Sequence, residues 1–160
     1  IELIDKTKKL AEELKDTEYN FVIKLHPNFE TSKILSLLGL AKLPKNLVIS
    51  DENISNLLNN HLIVICMGSG AVYDAALNGN IVFSLKSEIN LMNNCLDIFR
   101  GNFKFLDSHS LKSIKNVLLE FIHNGQELDK YIKEFEKLKL YLVNNINLVN
   151  EKSLSTFELN

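Results

Sequence analysis

The sequence predicts an α/β protein, a doubly wound parallel sheet with helices on both faces and helices at the carboxy terminus. Three observations carry this expectation. Short apolar runs rich in Val and Ile recur at 21–25, 47–49, 61–66 and 81–85. Segments with helical spacing of apolar residues separate them. The third run passes straight through a glycine-flanked serine into a helical pattern. Strands and helices that alternate at this spacing pair in parallel through right-handed crossovers.

Along the chain, residues 2–15 place Leu3, Ile4, Leu10, Ala11 and Leu14 on one helical stripe. The strand over 21–25 ends at His26-Pro27, because proline cannot donate to a ladder. A helix is expected over 32–40, capped by Thr31 or Ser32 and ending near Gly39. Pro44-Lys45-Asn46 turns the chain into a strand over 47–49, and 54–58 gives one or two helical turns. The strand over 61–66 is the most hydrophobic. Met67-Gly68-Ser69-Gly70 then leads into a helix over 71–77, which Asn78-Gly79-Asn80 terminates before a strand over 81–85. Further on, the pattern predicts a helix over 91–99, a short strand over 103–106, and helices over 111–123 and 127–143. The chain opens at Ile1 in mid-helix and reads as a fragment of a longer protein. No repeat or linker divides it, so residues 1–160 are assigned to one domain.

Composition narrows the function classes. With 160 residues, 46% of them hydrophobic, the chain is large enough to bury a core. A net charge of −2 offers no general attraction to nucleic acid or anionic membrane. The longest apolar run, Leu62 to Met67, is too short to span a bilayer. Cys66 and Cys95 lack metal-ligand spacing and read as reduced thiols, and no metal is expected. Arg100 is the single arginine. A bound phosphate must therefore rely on backbone N–H groups, hydroxyls, His or Lys.

In an open parallel sheet, ligands sit outside the carboxyl ends of the strands. His26-Pro27-Asn28, Ser50-Asp51-Glu52 and Gly68-Ser69-Gly70 hold such positions. Gly68 and Gly70 let backbone approach a phosphate closely, the Ser69 hydroxyl can donate to it, and the helix start adds N–H groups. Asp74, one turn on, can accept from the hydroxyls of a ribose. Each residue also has a purely structural reading. Ser69 can cap its helix, Asp74 can complement the dipole, and His26 can be a partly buried histidine bonded to backbone. Asp51 and Glu52 read best as a solvated loop.

The combination resembles a known arrangement. A strand ending in His-Pro is followed some forty residues later by strand–Ser–helix, with an acid in the first turn and an Asn-Gly before the next apolar strand. This is similar to the carboxy-terminal, nucleotide-binding domain of GT-B glycosyltransferases. Closest are bacterial surface-polysaccharide enzymes: sialyltransferases and capsule transferases with HP and SS motifs, and CDP-glycerol glycerophosphotransferases. Lys24, His26 and Pro27 match their K-x-HP. Ser69, Asp74, Ala75 and Gly79, followed by Ile81-Val82, match their S-S-x-x-x-[ED]-A-x-x-x-G-x-P-V. Departures are Gly70 for the second serine, Asn80 or Ile81 for the proline, and Met67 for the acid that precedes the serines in teichoic-acid members. The resemblance spans residues 21–85.

It implies the Rossmann-like donor half of a two-domain enzyme, inactive alone, with a CMP-, CDP- or UDP-activated sugar nucleotide as substrate and no resident cofactor. The acceptor, a glycan or lipid-linked molecule, would be bound by an amino-terminal domain outside this chain. The implied location is the cytoplasm, or the inner face of the membrane. His26 would be the catalytic group, stabilising the departing nucleotide, with Pro27 fixing its ring. Gly68, Ser69, Gly70 and Ala71 would hold the phosphates, and Asp74 the ribose. Two alternatives remain. A UDP-N-acetylglucosamine 2-epimerase-like enzyme shares His26-Pro27-Asn28 and the small-residue loop, and a non-catalytic domain could keep the fold for assembly.

Overall fold

The computed structural model describes residues 2–26, 32–33, 43–88, 96, 99, 101–107 and 109–145. Most of the helix expected over 32–40, nearly all of that over 91–99, and Pro27, Asn28 and Cys95 lie outside them.

Helix α1, Glu2–Glu13, buries Ile4, Leu10 and Ala11 on the stripe its spacing dictates. Strand β1, Phe21–Lys24, pairs in parallel with β2, Leu47–Ser50, in the register Phe21 to Leu47. Helix α2, Ile54–Asn60, starts where the Asn53 side chain accepts from the Ser55 N–H. Strand β3, Ile63–Cys66, pairs in parallel with β4, Ile81–Ser84, in the register Ile63 to Ile81. Between them runs α3, Ala71–Asn78. A 3₁₀ turn at Lys104–Leu106 precedes α4, Leu111–His123, and α5, Gly125–Asn145.

Two differences from expectation have physical causes. The described strands form two separate two-stranded parallel sheets, not one doubly wound sheet. Among the described residues, the β1–β2 pair finds its burial against α1, in an apolar cluster of Ile4, Ala11, Ile23, Leu25 and Leu47. The β3–β4 pair lies in a larger cluster with α3, α4 and α5, and Phe21 packs against both. Each pair completes a ladder of its own and buries its apolar side chains against helices, and no ladder joins the two pairs among the described residues. Secondly, residues 104–106 are a 3₁₀ turn and not part of a strand. Leu106 N–H donates to the Phe103 carbonyl, and the Phe103 and Phe105 rings turn onto Tyr141 and Phe135 of α5. The position beside β4 belongs to His109, whose N–H donates to Ser84 and whose carbonyl accepts from Lys86. A smaller difference concerns Ile122. It was expected on the buried stripe of α4 and is 45% exposed, while Ile114, Leu118 and Phe121 are buried.

Helix α3 ends at Gly79, whose φ of 93° is left-handed. Its N–H reaches the Ala75 and Ala76 carbonyls, and the Asn80 N–H also reaches Ala75, which closes the helix end. A Cβ at Gly79 would make only an ordinary 3.5 Å contact with Lys139 Cδ. The cost of a side chain there is therefore conformational. Gly79→Ala should destabilise the protein by about 1–2 kcal/mol, seen as a lower urea midpoint at unchanged slope. An unchanged midpoint would show that the helix end readily adopts another closure.

Candidate functional site

The turn out of β3 is abrupt. Gly68 takes φ of 60°, a left-handed value that a β-branched or bulky side chain resists, and α3 begins three residues later. Ser69 and Gly70 stand exposed at this corner. Ser69 Oγ accepts from the Ala71 N–H at 3.3 Å, and the Ser69 and Gly70 carbonyls accept from Val72 and Tyr73. The N–H groups of Ser69 and Gly70 have no partner among the described residues. The free donors therefore sit one position earlier than the sequence suggested: Ala71, expected to donate to a phosphate, already donates to Ser69. The Ser69 hydroxyl keeps its own hydrogen for an acceptor. Nothing lies within 4 Å of a Cβ placed on Gly70, so packing does not demand glycine there. Asp74 is exposed on the first turn of α3.

His26 lies two residues past β1, after the buried Leu25, and is exposed. Asp51 and Glu52, past the end of β2, are exposed as a solvated loop should be. His26 and the Ser69 loop both follow the carboxyl ends of strands, in pairs that share no ladder.

A feature the sequence reading missed lies past the carboxyl end of β4. A cavity of about 600 Å³ is walled by the first turns of α1, by residues 86–88 and by the start of α4. Lys6 spans its edge, 2.7 Å from Glu2 and 3.5 Å from Glu88, and donates to the Lys86 carbonyl at 2.9 Å. Glu2 in turn accepts from Ser87 Oγ and from the Glu88 N–H. Lys6, aided by that N–H, holds the Glu2 carboxyl below the usual carboxylate range, and Glu2 raises Lys6. The available signal was Lys6 and Lys9 one helical turn apart, with Lys86 at a strand end.

Among the described residues, no group of three His, Cys, Asp or Glu is placed to hold a metal ion. No described helix is long and apolar enough to cross a membrane. Comparison with family profiles, with curated proteins and with solved structures returns no match for this chain.

Proposed function

We propose that this chain is the donor-binding half of a GT-B glycosyltransferase of bacterial surface-polysaccharide synthesis. The observation that supports it most is the corner at Gly68, which turns the Ser69 and Gly70 N–H groups and the Ser69 hydroxyl out beyond β3. In this reading they hold the donor phosphates, and Asp74 takes the ribose hydroxyls. When an acceptor oxygen displaces the nucleotide from the anomeric carbon, negative charge grows on the leaving phosphate. His26 and the two N–H groups offset it. The acceptor site and the base belong to a second domain, the donor is a cytidine- or uridine-activated sugar, and the work is cytoplasmic.

Calorimetric titration with CMP, CDP, UDP and GDP tests this. His26→Ala should weaken nucleotide binding roughly ten- to hundredfold, the effect of losing one hydrogen bond to a charged group. Its melting temperature should stay close to that of wild type, because the residue is exposed. Ser69→Ala should act in the same direction but less, since the N–H groups remain. A His26→Ala variant that binds as tightly as wild type would remove this histidine from the mechanism. Cytidine selectivity selects the sialyltransferase-like form, and uridine selectivity a UDP-sugar transferase or the epimerase-like enzyme. The Ser69–Ala71 hydrogen bond, which also closes the loop on itself, favours a second reading as a non-catalytic assembly domain. Failure to bind any nucleotide selects that reading.

A further inference from the structure

We propose that the cavity past β4 is a second binding site, separate from the Ser69 loop, for a small phosphorylated polyol. Its position is the first reason. It opens at the carboxyl end of a parallel strand, beside the bridge from Leu85 to His109, where an α/β sheet leaves room between its loops. At about 600 Å³ it is in the size range of small-molecule sites.

The chemistry of the wall is the second reason. Three stretches far apart in sequence meet here, and the bonds among Lys6, Glu2, Ser87, Glu88 and the Lys86 carbonyl tie two of them together. Those groups satisfy one another, and the Glu88 side chain is 81% exposed. They are framework. The charges left for a ligand are the ammonium groups of Lys9 and Lys86, neither in an ion pair among the described residues, and the Asp5 carboxylate. Ser110 Oγ accepts from the Ser113 N–H, so its hydroxyl hydrogen remains for an acceptor in the cavity. Two cations and a hydroxyl donor suit a dianionic phosphate, while the single carboxylate suits hydroxyl groups of the same molecule. Leu111 is the one apolar wall residue among those described, and none is aromatic. Among the described wall residues, a nucleobase would find no aromatic ring to stack on.

The test uses the whole chain, with inorganic phosphate and glucose 6-phosphate as probes and glucose as the uncharged control. Amide shifts are followed by NMR. Both phosphates should move the Lys86, Ser87 and Leu111 amides at millimolar concentration, and glucose alone should not. Lys86→Glu and Lys9→Glu should each weaken both about tenfold or more. Asp5→Asn should weaken glucose 6-phosphate and leave inorganic phosphate unchanged or tighter. Nucleotide probes of the other site report on the Ser69 and Gly70 amides, so the failure of either site leaves the other readable. Absence of shifts at Lys86, Ser87 and Leu111, or shifts that survive both charge reversals, would overturn the proposal.

Discussion

Replacing Phe83 with alanine should lower stability by about 3–5 kcal/mol, the cost of removing a large aromatic side chain from a packed core. Strand β4 is buried along its whole length, and Phe83 is 1% exposed at its centre. The ring meets His109 edge-on at 5.4 Å, and lies 5.8 Å from Tyr131 and 6.5 Å from Phe121. It therefore joins the strand to α4, to α5 and to the segment that bridges back to β4. Since its neighbours are held by separate elements, they cannot all move in to fill the gap. Phe83→Leu should recover much of the loss, because volume matters more than the ring. Equilibrium urea unfolding of the three proteins measures this. A loss below about 1 kcal/mol for Phe83→Ala would mean that the cluster collapses freely around the missing ring.

The second large effect is expected at Asn80, which is 4% exposed. Its Nδ2 donates to the Leu58 carbonyl at 2.9 Å and also to the His61 carbonyl, and its Oδ1 accepts from Asn78 Nδ2. One side chain thus fastens the end of α2 and the entry to β3 against the entry to β4. Leu58 keeps a donor in Asn78 after substitution, but His61 loses its own. Asn80→Ala should therefore cost about 2–4 kcal/mol, from the lost bonds and one orphaned acceptor. Asn80→Asp should be worse at neutral pH, because the introduced carboxylate faces two carbonyls. Burial would raise the folded-state pKa of that carboxyl above its unfolded value. Its penalty should thus be smallest at acid pH, where the protonated group can donate again, and should grow as pH rises through the folded value. Thermal melts of wild type and both variants at pH 5 and pH 7 give the comparison. Asn80→Ala melting with wild type would show that these hydrogen bonds contribute no net stability.

Asn80 also shows where sequence reading stops. In the motif it stands at or next to a proline position, so it registered as a departure. Its role depends on carbonyls some twenty residues upstream, and no local pattern reveals those. His61 was read as the start of a strand for the same reason. It is instead the cap residue of α2, its Nδ1 2.8 Å from the Leu57 carbonyl, and β3 begins at Ile63. The apolar runs of β1, β2, β3 and β4 were legible because burial of a short strand demands them. Which strand lies beside which was not, since the apolar content of β1 and β3 fits either arrangement. At the loop, Gly68 and the start of α3 were legible from spacing. That Ser69 would occupy the Ala71 N–H depends on a side-chain rotamer. The cavity escaped notice because Lys9 and Lys86 look like any solvated lysine until α1 and the end of β4 meet.

The division into two strand pairs has a consequence in loop-closure entropy. Phe21 meets Leu47 26 positions on, and Ile63 meets Ile81 18 positions on. Because the cost of closing a loop grows only with the logarithm of its length, these two closures differ by about 0.3 kcal/mol. Chain entropy therefore treats both halves nearly alike. What ranks them is the apolar surface each withdraws from water, and among the described residues the cluster around Phe83 is the larger of the two. Of those residues, fewer buried side chains hold the β1–β2 pair that leads to His26.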